Sequence, residues 1–586
     1  MNSILNEIEN ELVKAFKAAG YDEKYAFIKW SDRPDLCQFQ CNGALAAAKE
    51  YKKAPFMIAD EVVEKLSLVA AFKTVEMVKP GFINITLSDE YLLSHALKMC
   101  KDEKLGVNAD ENEKIIIDYG GANVAKPLHV GHLRSAVIGE SIKRIKKYAG
   151  NDVTGDVHLG DWGLQIGLII TELKARKPEL VYFDESFEGE YPEEAPFTMS
   201  DLEEIYPYAN GYSKEHPEYK EQAQKATAEL QSKKRGYLAI WKHIIEVSVA
   251  DLKKIYDKLN VSFELWKKES DAQEYIPDMV EYMKSEGYAH IDQGALVVDV
   301  SEETDKKEIP PCMILKSDGA TLYNTTDLAT IVERRKLFDP DRIMYVVDKR
   351  QSLYFEQVFR CARKTKIIGD NVELDFLGFG TMNGKDGKPF KTRDGGVLRL
   401  EQLIKEVTDK VTEKMSDRGM DEETLKDAAD KIALAAIKYG DLSNQASKDY
   451  VFDIDRFTSF EGNTGPYILY TIVRIKSLLR KAAAENVLPS DEEFKNFGSK
   501  EETDLLLSAA KWTDTFASAS KENAPYKICQ FIYELSENYN VFYHEHKILN
   551  NDNEEEKKAW INLSKFILKL LNTGIDLLGI SAPEQM

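Results

Sequence analysis

Cysteine is scarce in this chain. Its 586 residues hold six, Cys37, Cys41, Cys100, Cys312, Cys361 and Cys529, with no CxxC pair. That number and spacing exclude a disulfide-stapled scaffold and a four-cysteine zinc site, and read as reduced thiols of a cytosolic protein. No apolar run approaches the roughly 18 residues needed to span a bilayer. The N-terminal segment places Ile4, Leu5, Ile8, Leu12, Val13 and Phe16 at helical spacing among glutamates, an amphipathic helix rather than a signal peptide. The expectation is a soluble, cytoplasmic protein with no membrane partner. Positive charge is also in deficit, with 78 Lys+Arg against 100 Asp+Glu and a net charge of −22. This argues against a protein that coats nucleic acid nonspecifically. It leaves a nucleic-acid partner open, because a basic stripe can sit on an acidic body. No Lys or Arg falls between Lys177 and Lys214, a stretch that reads as a solvated surface insertion without chemistry.

At roughly 100 to 200 residues per domain the length implies several domains. Residues 1–110 begin helical and finish in a strand, 81–87, where Phe82, Asn84 and Thr86 alternate with Ile83, Ile85 and Leu87. After a charged linker, Ile115, Ile116 and Ile117 form a short β-branched run ending at Gly120-Gly121, the pattern of a buried strand entering a turn. Further strand-like runs at 295–300 and 343–347, separated by helical patterns, give residues 111–400 an α/β character, with a helical insertion at about 171–260. From 401 onward nearly every segment is helical. Residues 401–454 read as a connecting region and 455–586 as a helical bundle.

The chemistry concentrates after the Ile115 strand. His129-Val130-Gly131-His132 opens a helix whose apolar residues recur at Leu133, Val137, Ile138, Ile142 and Ile145, with Pro127 in the first turn and Gly150 as the stop. Two histidines three residues apart at a helix N-terminus share a face beside free backbone N–H groups, a site suited to anions. Gly131 removes a side chain between them, so a flat ring or a phosphate can approach. A second element, 384–393, is a Gly-rich loop with cations at Lys385, Lys388, Lys391 and Arg393. It suits polyphosphate but lacks the GxxxxGK[ST] spacing of a Walker A loop.

HVGH after a strand, with Lys388, Lys391 and Thr392, resembles the HIGH and KMSKS signatures of class I aminoacyl-tRNA synthetases, Pro389 and Phe390 replacing the usual Met-Ser. The blocks 38–44, 123–135, 158–163 (HLGDWG), 319–327, 460–467 and 576–586, which ends in Met586, resemble the arginyl-tRNA synthetase family along essentially the whole chain. The resemblance implies a multidomain α/β plus all-α protein. It has an α+β N-terminal domain reading the tRNA D-loop, a Rossmann-type catalytic domain with a helical insertion, and a helical anticodon-binding bundle. It also implies a monomer that charges tRNA(Arg) with L-arginine using ATP, with Mg2+ carried on the phosphates and no protein metal site, and arginine activation that waits for bound tRNA.

By the same resemblance His129, Gly131 and His132 meet ATP with Lys388, Lys391 and Thr392, and Lys126 is a further catalytic candidate. Asp327 and Glu269 hold the substrate guanidinium with Tyr323 against it, while Asp118, Asn123 and Gln351 hold its α-amino and carboxylate groups. Phe82 and Asn84 read the D-loop. Tyr467, Tyr470, Arg474 and Met586 face the anticodon. Two features depart from the family pattern: Gly120-Gly121 stands where a hydroxyl residue is expected, and Trp266-Lys267-Lys268 precedes Glu269 and Ser270 in place of a glycine. Two rival readings are another HxGH nucleotidyltransferase, which has no use for the C-terminal helices, and a synthetase-like binding protein without chemistry, against which His129, His132, Lys388 and Lys391 argue.

Overall fold

A computed structural model describes residues 3–109, 112–388, 398–488, 495 and 497–586. The chain divides into two compact units, one of residues 1–109, 411–439 and 458–586, the other of 110–410 and 440–457.

In the first unit, β1 (Ile28–Trp30), β2 (Phe39–Cys41), β3 (Phe72–Val78) and β4 (Phe82–Leu87) form an antiparallel sheet in the order β1-β2-β4-β3. Ile83, Ile85 and Leu87 are buried as their alternation requires, but so is Asn84, whose Oδ1 accepts a hydrogen bond from Gln40 Nε2 at 3.1 Å. The alternation failed at this residue: Asn84 is covered on its own face, where its register partner on β2, Gln40, holds its amide. The helices Gly465–Ala484, Lys500–Ala510, Trp512–Lys521, Pro525–Glu545 and Glu554–Leu577 form the expected bundle. This bundle shares its unit with the N-terminal domain. Trp30 Nε1 donates to Asp514 Oδ2 (3.3 Å), and Lys569 Nζ donates to the carbonyls of Cys100 and Asp102 (3.0 and 2.9 Å).

In the second unit, β5 (Lys114–Asp118) and β6 (Asp152–Asp156) flank the helix Val130–Ala149 in sequence. The run at 295 belongs elsewhere: β7 (His290–Asp292), β8 (Ala295–Val298) and β9 (Cys312–Leu315) form a separate antiparallel sheet. The main sheet is completed by β10 (Arg342–Asp348) and β11 (Glu373–Phe379), all parallel, in the order β11-β10-β5-β6. Its central strands β5 and β10 are buried on both faces, with Ile115, Ile116, Ile117, Ile343, Met344 and Val346 packed among helices. The order reverses between β5 and β10, which marks the crevice beyond their C-terminal ends as the ligand position in a sheet of this kind.

The helix that starts at the HVGH segment is buried nearly all round, not along one apolar stripe. Its polar residues are therefore paired inside the protein. Arg134 Nε donates to Asp441 (3.0 Å) and Nη1 to the carbonyls of Gly380 and Lys448 (2.7 and 3.0 Å), which ties the segment after β11 to this helix. β12 (Met382–Asn383) and β13 (Tyr450–Val451) pair in parallel nearby. The insertion consists of the helices Leu164–Arg176, Met199–Glu215, Pro217–Gln231 and Arg235–Lys258.

Candidate active site

The helix begins at Val130, with His129 as its N-cap, so Pro127 precedes the first turn instead of lying in it. The reason is that the histidines themselves cap the helix. His129 Nδ1 accepts from Gly131 N–H (3.0 Å), and His132 Nδ1 accepts from His129 N–H (3.1 Å), a reciprocal pair of the capping-box kind. A nitrogen that accepts carries no proton, so in the neutral ring the proton sits on Nε2 of both residues. Burial keeps both rings neutral: it lowers His129, and it holds His132 down at about 3, with the neighbouring His129 and Lys126 adding to the effect. The rings lie 3.9 Å apart between centroids, presenting two Nε2–H donors from one helix end. A Cβ on Gly131 would stand 2.8 Å from the His129 ring, so the position accepts nothing larger than glycine without losing this cap.

The Gly-rich loop is fastened to the same place. After it, Val130 N–H donates to Leu398 O (3.1 Å) and Leu400 N–H to Leu128 O (2.9 Å). At its start, Gly384 N–H donates to Lys388 O (2.8 Å), and Lys385 pairs with Asp453 (3.2 Å). Lys388 is exposed at the loop's edge. Lys391 and Thr392 lie outside the described residues.

Beyond β5 and β6 an acidic pocket forms. Asp327 is half-buried and accepts from the Tyr354 hydroxyl; loss of solvent raises its carboxyl above the ordinary range, and the Tyr354 hydrogen bond works against that rise. Glu269 is fixed through its backbone N–H to Leu159 O (3.0 Å). Its carboxyl is pushed up to about 7, by burial first and then by Asp161 and Asp327. Asp161, which accepts from Ser270 N–H and Oγ (2.9 and 2.6 Å), is itself pushed to about 6 by burial. Acids this close raise one another because neither has a full counter-charge, the condition that favours a cationic ligand. Asn123 lies on Gly160, where a Cβ would come within 2.3 Å of Asn123 Oδ1 and 3.6 Å of Glu269 Oε1. Tyr323 stands at the mouth, 72% exposed.

The sequence candidates are thus brought together unequally. Asn123, Glu269, Tyr323 and Asp327 meet. Asp118 shares the sheet edge but is engaged by Arg334 Nη2 at 2.6 Å. Gln351 ends an exposed turn after β10, the strand beside β5. Lys126 sits 4.8 Å over the ring of Tyr206, and Arg399 pairs with Glu203 at 2.8 Å, both partners lying on the insertion helix Met199–Glu215. The acidic insertion, read as a solvated surface, therefore forms one wall of the site, since its helix has an apolar face that must be covered.

Sequence reasoning missed Asp156, His158, Arg334 and Tyr354 as individual pocket residues. Arg334 follows Tyr323, Asp327 and Thr330 at helical spacing, and that period was readable. His158 lies within the HLGDWG block; burial favours its neutral form, but the Asp156 carboxylate outweighs this and holds its imidazolium up at about 9. Asp118, Asp156 and His158 are close enough to suggest a metal, yet Arg334 already bridges the two carboxylates, so a divalent ion does not fit there.

A second cluster lies in the helical bundle. Arg474 is sandwiched between the rings of Tyr470 (4.8 Å) and Tyr543 (5.0 Å), and its Nη1 donates to Asn540 Oδ1 at 2.5 Å. Asn540 Nδ2 in turn donates to Tyr467 (3.0 Å). A cavity of about 380 Å³ opens beside them, lined by Tyr470, Arg474, Lys481, Tyr543 and Met586 among others. Tyr543 and Asn540 carried no motif.

A parallel sheet whose switch-point crevice receives an HxGH helix terminus is the arrangement of an HxGH nucleotidyl-transferring domain, the group that includes the class I aminoacyl-tRNA synthetases. Residues 94–454 match the family described as tRNA synthetases class I (R), catalytic domain, residues 2–87 the arginyl tRNA synthetase N terminal domain, and residues 468–586 the DALR anticodon binding domain. The chain is 59% identical over 604 aligned positions to the arginine–tRNA ligase of Agathobacter rectalis and 55% over 588 to that of Alkaliphilus oremlandii, each match covering 100% of both chains. It is similar to the crystal structure of arginyl-tRNA synthetase from Plasmodium falciparum (TM-score 0.82, 25% identity, 100% of both chains). It shares the fold of the Thermus thermophilus arginyl-tRNA synthetase (TM-score 0.78, 22% identity, 100% of both chains). The chain belongs to the arginyl-tRNA synthetase family. No helix among the described residues is long and apolar enough to cross a membrane.

Proposed function

We propose that this chain is an arginine–tRNA ligase that activates L-arginine with ATP to arginyl-adenylate and transfers the arginyl group to the 3′ end of tRNA(Arg), releasing diphosphate and AMP. The observation that carries this reading, beside the family, is the pairing of Asp327 and Glu269 in one buried pocket. A guanidinium presents five donors in a fixed planar fork, and two converging carboxylates are its natural acceptors. An uncharged or shorter substrate leaves them buried without a partner, which supports discrimination of ~10⁴ to ~10⁵ without editing.

The substrate carboxylate is ionised at neutral pH, so its attack on the α-phosphorus needs no general base. Catalysis reduces to in-line positioning and stabilising charge on the phosphates. His129 and His132 supply Nε2–H donors to the α-phosphate region, and Gly131 leaves room for the nucleoside. Lys126, Lys388, Lys391 and Thr392 face the leaving diphosphate. Asp118, Asn123 and Gln351 orient the amino and carboxylate groups of arginine. Mg2+ rides on the ATP phosphates. Phe82 and Asn84 serve the D-loop, and Tyr467, Tyr470, Arg474 and Met586 the anticodon, where the cavity offers aromatic rings for stacking a splayed base. The domains fall at 1–110, 111–400, 401–454 and 455–586, and the protein acts as a cytosolic monomer.

Exchange of labelled diphosphate into ATP tests the reading. Exchange should require arginine, fail with lysine, glutamine or citrulline, and be slight until tRNA is added. Full exchange without tRNA overturns the tRNA requirement, and equal exchange with lysine overturns the assigned substrate.

The Glu269 carboxyl gives a pH dependence. At pH 6 it is largely protonated in the free protein and is a poor guanidinium acceptor; ionisation through about 7 completes the acceptor pair. Arginine binding favours the ionised form and so releases a proton below that pH. The arginine KM should fall by up to about tenfold per unit as pH rises from 6 toward 7 and level off near 8, while Glu269→Gln flattens the profile. A KM that is flat in the unmodified protein sinks this role.

A further inference from the structure

Arginine carries a cation at each end, and the pocket carries acids at both of its ends. Asp327 and Glu269 form one station. The other is at the strand edge, where Asp118 and Asp156 are register partners on the parallel strands β5 and β6. Two neighbouring carboxylates on adjacent strands make the kind of planar double acceptor that a guanidinium fits. The chain fills it with a guanidinium of its own. Arg334 Nη2 donates to Asp118 Oδ2 (2.6 Å) and to Asp156 Oδ2 (2.8 Å), and the Arg334 side chain is 2% exposed. Its Nε and Nη1 are buried without a hydrogen-bond partner. A residue selected for stability alone would satisfy those donors, because orphaned buried donors are costly and rare. Arg334 also lies on the same helical face as Asp327, seven residues on, which sets the two stations about 10 Å apart along the helix axis.

We propose that Arg334 fixes the direction in which arginine enters the pocket. By occupying the Asp118–Asp156 fork it leaves Asp327 and Glu269 as the guanidinium receptor, and it keeps for the smaller α-ammonium what remains open of Asp118. Of the two strand-end carboxylates Asp118 still reaches the pocket, its side chain 16% exposed against 1% for Asp156. Without Arg334, substrate can lie reversed, guanidinium on the strand ends and ammonium on Asp327, with its carboxylate directed away from ATP. Arg334 is thus a positioning and orientation-determining residue, acting through Asp118. The inference rests on the reading of Asp327 and Glu269 as the guanidinium site.

Reversed binding is unproductive, and it has a kinetic signature that loosened structure lacks: kcat falls while KM stays level or falls with it. In tRNA aminoacylation, Arg334→Gln should lower kcat by about tenfold or more without raising the arginine KM. Competitive inhibition by methylguanidinium should tighten by about tenfold, because a second receptor has opened. Adding Asp156→Asn to Arg334→Gln removes that receptor and should return both quantities most of the way to the starting values; a structural defect would not be cured by a second substitution. A KM that rises with kcat unchanged, or methylguanidinium inhibition that does not move, overturns the proposal. If Arg334→Gln does not fold, Arg334→Lys decides: its point charge leaves the fork partly open, so methylguanidinium should inhibit about threefold more tightly, and unchanged inhibition overturns the proposal. Asp327→Asn in the otherwise unaltered chain separates the two readings. If it leaves the arginine KM unchanged, the guanidinium site has been misassigned, whereas the methylguanidinium comparison still reports on Arg334.

Discussion

Asp327→Ala is expected to raise the arginine KM by about 10² to 10³-fold, the cost of leaving one member of a buried, hydrogen-bonded charge pair without its partner. The ATP KM should change by less than about threefold, since the residue lies at the amino-acid end of the crevice. The carboxylate is held in place by Tyr354 and sits on the face of a helix whose neighbouring turns carry Tyr323 and Thr330. Removing it leaves Glu269 as the remaining acceptor, and Tyr354 without its partner. Steady-state aminoacylation with each substrate varied in turn checks this. Equal increases in both KM values would mean a folding defect and would remove Asp327 from the binding site. Asp327→Asn keeps the volume and one acceptor oxygen, so it should recover part of the loss.

His132→Ala is expected to lower kcat by about 10² to 10³-fold, the range seen when one preorganised donor to a developing oxyanion is removed. The arginine KM should stay within a few-fold. His132 also caps the helix, so the variant should lose about 1 kcal/mol of stability, too little to account for the kinetic loss. His132→Gln restores a side-chain N–H near the Nε2 position and should recover more activity than alanine. A second readout separates hydrogen-bond donation from proton transfer. With its pKa near 3, His132 stays neutral from pH 5.5 to 8, so kcat should show no step near 6.5. Such a step, abolished by His132→Ala, would make His132 a general base and refute the donor role.

The local chemistry of this protein was legible in its residues. A β-branched run before two glycines specified a buried strand and turn. HVGH placed two histidines at a helix terminus, and the structure sets His129 as the N-cap just outside the helix, facing His132 in its first turn. The family likeness carried the candidates Asp327 and Glu269 over residue by residue. Arg334, four residues beyond Thr330, was missed, because nothing in the sequence said what lay opposite it.

What remained hidden depended on partners far apart in the chain. Asn84 looked like an outward-facing amide because alternation reports only the strand's own two faces, and its burial comes from Gln40 on a neighbouring strand. The insertion looked solvated because its charge run was visible, whereas the packing that brings Tyr206 to Lys126 and Glu203 to Arg399 was not. By itself the sequence determined most of the elements, which follow from period and residue chemistry, and family likeness supplied the candidate donors and acids. Only the tertiary structure decided which carboxylates already carry a cation from the chain itself, as Asp118 and Asp156 do through Arg334. Ionisation and availability depend on burial and on the nearest opposite charge: Asp118, Asp327 and Glu269 are alike in sequence, but Arg334 holds the first and burial leaves the other two in need of a cation.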